Sequence, residues 1–171
     1  MREIYFAGGC FWGVEHFMKQ IAGVMDTDTG FANGREDLVE PTYEEVYTDT
    51  TGFAETVRVR FDEKRVGLRF LTRMFFHAID PTSLNKQGED EGTRYRTGVY
   101  YTSEEDLPIL REVFEEVKRE FGPIVVELEP LKAYYSASEW HQDYLEKHTD
   151  GYCHLPLSLF KYAREAKPEV D

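Results

Sequence analysis

The hydrophobic pattern of this chain changes its period at residues 8–13, which read Gly-Gly-Cys-Phe-Trp-Gly. Before this motif, Ile4 and Phe6 alternate with their neighbours, and the alternation predicts a short strand over residues 2–7. After it, apolar side chains recur at helical spacing. They are Phe11, Val14, Phe17, Met18 and Ile21. Because glycine permits a tight turn and close approach of the backbone, the motif predicts a strand that turns directly into an amphipathic helix over residues 11–21.

Cys10 lies at this junction, at or near the predicted helix N-terminus. Free N–H groups and the macrodipole favour a thiolate there, but they contribute only about 0.3–1 kcal/mol. That is less than about one pKa unit, so further hydrogen-bond donors or activation by the substrate are needed. Trp12 lies off the apolar face of the helix, which predicts that it forms a wall of a small apolar pocket. A buried and inert cysteine is the alternative interpretation.

Composition restricts the class of protein. The 171 residues, of which 41% are hydrophobic, predict one domain over residues 1–171. The net charge of −13 argues against nucleic acid and anionic membranes as partners. No apolar run has the length of a spanning helix and strand residues begin near Met1, so we expect a cytoplasmic protein without a signal peptide. In that compartment Cys10 and Cys153 are expected to be catalytic or redox-active.

The periodicity predicts the α+β class, with a mixed β-sheet and packed helices in a two-layer sandwich. Strands are expected at residues 2–7, 24–31, 43–48, 54–61, 97–102 and 124–129. Helices are expected at residues 11–21, 66–78, 104–121 and 138–147. Long irregular stretches are expected to carry function, and they cover residues 30–42, 80–96 and 148–160. Residues 148–171 are expected to form a less regular C-terminal segment that carries Cys153 and ends in a solvated tail at 167–171.

A carboxyl group lies on the apolar face of the strand predicted at residues 54–61. The odd positions of this region are Phe53, Val57, Val59 and Phe61, and Glu55 shares their parity. The even positions are expected to face water, and they are Thr56, Arg58 and Arg60. If the strand keeps this register, burial raises the pKa of Glu55 and keeps it partly protonated, as a general acid requires. A carboxylate at a frayed strand end is the alternative.

Five tracts of the chain together resemble the A-type peptide-methionine sulfoxide reductases, which reduce the S epimer of methionine sulfoxide. The tracts are residues 9–13 (Gly-Cys-Phe-Trp-Gly), 41–43 (Pro-Thr-Tyr), 51–55 (Thr-Gly-Phe-Ala-Glu), 87–96 (Gln-Gly-Glu-Asp-Glu-Gly-Thr-Arg-Tyr-Arg) and 151–153 (Gly-Tyr-Cys). They follow the family order through most of the chain. The first tract is highly specific for the family, and the other four are moderately specific.

The resemblance implies roles for eight residues. Cys10 would be the nucleophile, Glu55 the acid that protonates the sulfoxide oxygen, and Cys153 the resolving thiol. Phe11 and Trp12 would form the apolar pocket for the methyl group of the substrate. Three further side chains would hydrogen-bond around the oxygen and the incoming sulfur, and they are Tyr43, Asp90 and Tyr95.

The implied reaction requires no metal, flavin or nicotinamide cofactor. Cys10 attacks the sulfoxide sulfur, methionine leaves, and Cys10 becomes a sulfenic acid. Cys153 then condenses with it to a Cys10–Cys153 disulfide, which thioredoxin or another external dithiol reduces by exchange. The implied substrates are oxidised proteins, peptides and free methionine sulfoxide, and we expect a monomer.

The chain departs from the family pattern at two positions. Phe53, and Ile79 before Asp80-Pro81, stand where the family usually has histidine. Both changes remove polar groups near the site, so they bear on the tuning of the acid and on loop packing rather than on the assigned roles. The distal cysteine of some three-cysteine members is also absent, which leaves Cys153 as the resolving candidate.

Two other functions remain open from the residues alone. One is a cysteine–histidine acyl transferase, although no sequence context singles out its base. The candidate bases are His16, His77, His141 and His154. The other is a metal-binding module, although the spacing of its ligands does not match a zinc finger. The candidate ligands are Cys10, Cys153, His141 and His154. Trp140 and His141 are expected to pack near the C-terminal segment rather than to bind a ligand.

Overall fold

The computed structural model describes residues 1–171 and contains eight strands and six α-helices. The strands are β1 (Arg2–Gly8), β2 (Val24–Ala32), β3 (Ala54–Phe61), β4 (Lys86–Gln87), β5 (Asp90–Glu91), β6 (Thr97–Tyr101), β7 (Glu127–Pro130) and β8 (Tyr134–Ser136). The helices are α1 (Phe11–Lys19), α2 (Tyr43–Tyr47), α3 (Leu68–Ala78), α4 (Leu107–Phe121), α5 (Tyr144–Lys147) and α6 (Leu157–Glu165). Short 3-10 turns lie at Thr93–Tyr95, Glu104–Asp106 and Glu139–His141. None of the helices combines the length and apolar character needed to cross a lipid bilayer.

Six of the strands form one mixed sheet in the order β7-β6-β1-β3-β2-β8. Neighbouring strands run antiparallel except β6 and β7, which are parallel. The other two strands, β4 and β5, pair as a small separate hairpin. Strand β1 lies inside the sheet, between β6 and β3. The chain therefore leaves the carboxyl end of β1 over the interior of the sheet. This is where α1 begins.

One face of the sheet carries the helices and the main core. Ile4 and Phe6 of β1 and Val59 of β3 belong to the same buried cluster as Phe17 of α1 and Phe75 of α3. The rings of Phe6 and Phe75 stack with their centroids 4.7 Å apart. The predicted α+β architecture, with helices packed on a mixed sheet, is confirmed.

The opposite face of the sheet carries a second, smaller buried cluster. Its members are Tyr5, Ala7, Ala32, Ala54 and Tyr100, and Leu131 and Tyr134 pack against them. Thr56, predicted to face water, is buried on this side and donates a hydrogen bond of 2.9 Å to the Ala54 carbonyl. That prediction is wrong because Leu131 and Tyr134 cover this face of the sheet, which the sequence pattern does not reveal. Arg60, farther along β3, is exposed as predicted.

Residues 43–48, predicted to be a strand, form helix α2 instead. The hydroxyl of Thr42 accepts a hydrogen bond of 3.1 Å from the Glu45 N–H, and the Glu45 carboxylate accepts one of 3.0 Å from the Thr42 N–H. This reciprocal capping box satisfies two free N–H groups at the helix start. The prediction is wrong because the Thr-x-x-Glu spacing of this capping box favours a helix.

The last third of the chain contains more regular structure than predicted. Helix α6 begins after Pro156 and buries Phe160 and Ala163, so the segment 148–171 is only partly irregular. The helix predicted at 138–147 is interrupted, because Asp143 adopts a left-handed backbone with φ +52° between the 3-10 turn and α5.

The predicted solvated tail is held against the start of α3. The side chain of Asp171 accepts hydrogen bonds of 2.8 Å from the Leu68 N–H and 3.3 Å from the Arg69 N–H. The Glu169 carbonyl accepts a third, of 2.7 Å, from the Gly67 N–H. Because Gly67 precedes the helix and has no side chain to cap it, the tail supplies the acceptors that the free N–H groups need.

Candidate active site

Cys10 lies between β1 and α1, and two glycines make the turn that places it there. Gly9 has φ +89°, and a side chain at this position would meet Gln87 at 2.8 Å. A side chain at Gly8 would lie 3.0 Å from Phe75 and from Ile79. The backbone therefore passes closer to its neighbours than any larger residue allows. Cys10 directly precedes the first turn of α1 and is only 6% exposed.

The position of Cys10 at a helix start does not make it a thiolate. Burial is the main cause that raises the pKa of Cys10 well above its ordinary value, and the neighbouring Glu55 raises it further. A hydrogen bond from the Trp12 N–H acts in the opposite direction. Because burial disfavours the charged form more than the helix start favours it, Cys10 is a neutral thiol in the substrate-free site.

Glu55 has the register that strand parity predicts. It lies opposite Phe31 in the β2–β3 ladder and is 2% exposed. Its Oε1 accepts a hydrogen bond of 3.1 Å from the Phe11 N–H. Burial raises the pKa of Glu55 to about 8, although the Phe11 N–H and the charge of Arg94 act to lower it. The carboxyl group is therefore mostly protonated at neutral pH and has a proton to donate.

Two tyrosines reach the same site from different elements. Tyr43 begins α2 and is half-buried, while Tyr95 lies in a 3-10 turn and is 6% exposed. Burial raises the pKa of both phenols, and the charge of Glu55 is the second cause in each case. The charge of an ionised Cys10 would also raise the pKa of both phenols. The fold thus brings two neutral O–H donors to the neighbourhood of the carboxyl and the thiol.

Arg94 organises this side of the site, although nothing in the sequence singles it out. Its guanidinium forms an ion pair with Asp49 and lies 4.1 Å from the ring centroid of Tyr47 and 4.3 Å from that of Tyr95. Its positive charge lowers the pKa of Glu55 against the effect of burial. In the sequence it is one charged residue in a charged tract, so no local pattern distinguishes it.

Trp12 forms a wall of an open aromatic pocket of about 430 Å³. The pocket is lined by Trp12, Tyr43, Glu44, Ser138, Trp140 and His141. The indole ring of Trp12 stacks on Tyr144, with centroids 3.7 Å apart, and its N–H donates a hydrogen bond of 3.3 Å to His141 Nδ1. Both contacts fix the indole plane. Trp12 is therefore positioned to present one edge of an apolar surface beside Cys10.

Trp140 and His141 line this pocket, and Trp140 also lies near the C-terminal segment as expected, with its ring centroid 6.1 Å from that of His148. His141 stacks on Tyr43 with centroids 4.3 Å apart, and the side chain of Gln142 anchors the segment through hydrogen bonds to Thr29. Phe11 is 1% exposed and its ring lies 5.6 Å from that of His141. Phe11 is therefore a core residue that supports the pocket from below. The Trp12–His141 contact spans 129 residues, so no local sequence pattern reveals it.

Asp90 connects the site to the C-terminal segment. Its Oδ1 accepts a hydrogen bond of 3.0 Å from the Tyr152 hydroxyl, and its Oδ2 lies 3.8 Å from His154 Nδ1. Its charge also raises the pKa of Cys10 and of Glu55. Asp90 thus contacts the segment that carries the second cysteine and acts on the first cysteine through its charge.

Cys153 rests against the first turn of α1. A side chain built at Gly13 would lie 3.0 Å from its Sγ, and Sγ accepts a hydrogen bond of 3.3 Å from the Leu155 N–H. Both cysteines are free thiols. Ionisation of Cys153 would raise the pKa of Cys10 further. The second thiol therefore lies beside the helix turn that carries the first.

This arrangement agrees with what the chain resembles in sequence. The family model described as peptide methionine sulfoxide reductase matches residues 2–169. The chain belongs to this family. It is an oxidoreductase of the MsrA type, which reduces methionine sulfoxide at the expense of thiols.

Known members of the family match this reductase over most of their length. The peptide methionine sulfoxide reductase MsrA of Clostridium acetobutylicum is 49% identical over 162 residues, which cover 94% of this chain and 99% of the relative. Reduced Mxr1 of Saccharomyces cerevisiae is 38% identical, with a TM-score of 0.86 and 91% of each chain covered. Mxr1 in complex with Trx2 is 32% identical, with a TM-score of 0.59 and 84% of each chain covered.

The two apolar residues that stand where the family usually has histidine pack against their neighbours in this reductase. Phe53 is 1% exposed and its ring meets that of Tyr135 edge to face at 5.8 Å. Ile79 is 9% exposed and belongs to the main core. The loop after Ile79 is held by Gln87, whose amide group makes hydrogen bonds of 2.9 Å and 2.8 Å to the backbone of Asp80.

The alternative of a metal-binding module has no support in the structure of this reductase. No three histidine, cysteine or acidic side chains form a group that could hold a metal ion. Among the four candidate ligands, His141 already accepts the Trp12 N–H at Nδ1. The ring of His77, a candidate base of the acyl-transferase alternative, stacks on Tyr162, with centroids 4.4 Å apart.

Proposed function

We propose that this reductase acts on the S epimer of methionine sulfoxide, in proteins, in peptides and as the free amino acid, with Cys10 as nucleophile and Glu55 as proton donor. One observation carries the proposal. The buried, protonated carboxyl of Glu55 is hydrogen-bonded to Phe11 N–H, and Phe11 directly follows Cys10. The thiol and the carboxyl together hold the two protons that the sulfoxide oxygen needs to depart as water.

In the first step Sγ of Cys10 attacks the sulfoxide sulfur. A sulfur–sulfur bond forms, and the oxygen leaves as water with one proton from the thiol and one from Glu55. Water then attacks Sγ of Cys10 as the sulfur–sulfur bond breaks, and the released proton returns to Glu55. The substrate sulfur has gained two electrons and leaves as methionine, while Cys10 is oxidised to a sulfenic acid. Glu55 protonates the oxygen as its bond to sulfur breaks. Tyr43 and Tyr95 donate hydrogen bonds to the same oxygen, a role supported by their neutral phenols in the neighbourhood of Glu55 and Cys10. Each donor stabilises the charge that develops on oxygen.

The aromatic pocket binds the apolar end of the substrate. Trp12 receives the methyl group on its fixed indole surface, and Phe11 supports this surface from the core. Asp90 acts on the incoming sulfur through its charge. The sulfur of a sulfoxide is a stereocentre, so a site that binds the methyl group and the oxygen at separate fixed positions around Cys10 accepts one epimer.

In the second step Cys153 attacks the sulfenic acid, and a Cys10–Cys153 disulfide and water result. An external dithiol then reduces the disulfide by exchange. We propose thioredoxin as this dithiol, and the complex of yeast Mxr1 with Trx2 supports the choice. The cycle uses thiols alone, so no metal or prosthetic group takes part.

All residues of the proposed site come from one chain, and we propose that residues 1–171 act as a monomer and a single catalytic domain. We place the enzyme in the cytoplasm, where thioredoxin keeps thiols such as Cys10 and Cys153 reduced.

The proposal is tested by single-turnover assays with separated S and R epimers of a methionine sulfoxide peptide. The wild-type protein should release about one equivalent of methionine from the S epimer without any reductant, and none from the R epimer. Cys10→Ser should release none from either, because a hydroxyl is a poor nucleophile towards sulfur. Activity of the Cys10→Ser variant within about tenfold of wild type, or equal reduction of both epimers, would contradict the proposal.

A further inference from the structure

The imidazole of His154 is enclosed beside the turn that carries Cys10. Its side chain is 2% exposed. A side chain built at Gly9 would lie 3.2 Å from Nε2, and one built at Gly88 would lie 3.1 Å from the Cβ of His154. The ring therefore sits between the β1–α1 turn and the loop that leads to Asp90. No role for this residue follows from the mechanism described above.

His154 is buried without hydrogen-bond partners. Neither Nδ1 nor Nε2 makes a hydrogen bond of normal geometry, and the nearest acidic atom, Asp90 Oδ2 at 3.8 Å from Nδ1, also has none. Buried polar atoms nearly always have partners, and exceptions mark functional positions. Burial is the main cause that lowers the pKa of His154, while Asp90 and the Gly8 carbonyl act to raise it. The ring is therefore neutral at pH 7 and can accept a proton.

Cys153 lacks a base that would make it a nucleophile. Burial raises the pKa of its thiol, and the Leu155 N–H only partly offsets this. The thiol and the imidazole of His154 flank the same helix turn. A side chain built at Gly13 would lie 3.0 Å from Cys153 Sγ and 3.2 Å from His154 Cε1. A proton acceptor thus lies on the side of the sulfur that faces α1.

We propose that His154, oriented by Asp90, is the general base of the resolving step; this rests on the two-cysteine cycle proposed above. A ring nitrogen of His154 accepts the thiol proton as Cys153 Sγ attacks Sγ of the Cys10 sulfenic acid. The sulfur–sulfur bond forms as the sulfur–oxygen bond breaks, and the departing hydroxide takes the proton from the imidazolium to give water. The sulfur of Cys10 is reduced and that of Cys153 is oxidised, so no external electrons are needed. The Asp90 contact is long in the resting site, as catalytic hydrogen bonds often are before reaction.

The charged and titratable groups around His154 are few. Asp90 faces it from β5, and Cys153 lies beside it in its own segment. His16 of α1 lines a cavity of about 410 Å³ together with Cys153, and its Nδ1 also lacks a partner. His16 is therefore the matched control, because it is a second histidine near the same sulfur.

The test compares His154→Gln and His16→Gln in the full chain by quenched single turnovers with the S epimer and no reductant. Methionine release and Cys10–Cys153 bridge formation are followed separately. Both variants should release methionine at the wild-type rate, which also shows that they are folded. Bridge formation should slow about 10- to 100-fold in His154→Gln, within the usual range for general base catalysis, and should be unchanged in His16→Gln.

The pH dependence of bridge formation gives a second readout. In wild type the rate should be level between about pH 7 and 8.5, because His154 is already neutral there. In His154→Gln it should rise about tenfold per pH unit, because the rate then depends on the thiolate fraction of Cys153. A merely structural role would leave the shape of the profile unchanged.

Three results would overturn the inference. The first is bridge formation in His154→Gln at the rate of the wild-type protein, and the second is an equal loss of that rate in His16→Gln. The third is a rate of bridge formation in the wild-type protein that rises about tenfold per pH unit. The third result can be obtained even if the His154→Gln variant does not fold. Failure of the proposed function looks different. In that case the wild-type protein releases no methionine at all, whereas failure of this inference alone leaves methionine release and bridge formation intact.

Discussion

The backbone N–H of Phe11 donates a hydrogen bond of 3.1 Å to Oε1 of Glu55 and so joins the first turn of α1 to β3. The same turn follows Cys10, which means that one helix start positions both the nucleophile and the acid. The bond favours the ionised carboxylate, but burial dominates and leaves the pKa of Glu55 at about 8. The geometry therefore holds a proton beside a thiol that is itself neutral.

Replacement of Glu55 by Gln should slow methionine formation in a single turnover by about ten- to ten-thousandfold, the usual range for a general acid. In wild type the rate should fall as pH rises through about 8, because the carboxyl then loses its proton. The Gln variant should lack this decline. A quench-flow rate for Glu55→Gln equal to that of wild type would mean that the carboxyl has only a structural role.

Replacement of Trp12 by Ala should weaken substrate capture by about 1–2 kcal/mol, since burial of a methyl group and an aromatic contact are lost. This corresponds to a fall of about 5- to 30-fold in kcat/KM. Trp140→Ala is the control, because Trp140 lines the same pocket but is 56% exposed, and it should lose less. Equal kcat/KM values for Trp12→Ala and wild type would place the methyl-binding pocket elsewhere.

Replacement of Cys153 by Ser should leave the first turnover intact and stop the second. The variant should release about one equivalent of methionine and then stall with thioredoxin, because no disulfide forms for it to reduce. Dithiothreitol should partly restore turnover by attacking the Cys10 sulfenic acid directly. Sustained thioredoxin-driven turnover by this variant, measured by NADPH consumption with thioredoxin reductase, is the result that the two-cysteine cycle cannot accommodate.

Replacement of Asp171 by Ala should destabilise the fold by about 0.5–2 kcal/mol, the usual cost of losing a helix cap. The reason is that its carboxylate accepts the N–H groups of Leu68 and Arg69. Glu169→Ala is the matched control, because Glu169 contributes its backbone carbonyl to the same contact, which the substitution retains. Urea unfolding should distinguish the two variants, and equal midpoints would show that the Asp171 side chain does not cap α3.

The sequence predicts those parts of the site that depend on local periodicity. Cys10 follows from the switch between strand and helix periods across two glycines, and the turn at Gly9 has the left-handed backbone that glycine favours. Glu55 follows from strand parity, because the alternation of a half-buried strand carries its register over several residues. Both residues are buried because these patterns direct them towards the core.

The parts that the sequence does not predict depend on contacts between distant segments. The wall formed by Trp140 and His141 requires the segment after β8 to fold back onto Trp12. The contact of His154 with Asp90 requires the C-terminal segment to cross the small β4–β5 hairpin. Neither segment has a strong period of its own. Tyr43 is a different case, because the capping box at Thr42 is a local signal for a helix that the predicted strand contradicts.

The absence of a side chain at Gly13 leaves the space that Cys153 occupies beside α1. Inside a helix, glycine is about 0.5–1 kcal/mol less stable than alanine, but a side chain at Gly13, in the first turn of α1, has no free space. The added methyl group would lie 3.0 Å from the sulfur of Cys153, so it would displace the second thiol from its place beside the first. Replacement of Gly13 by Ala would thus yield a protein that reduces methionine sulfoxide once and recovers slowly.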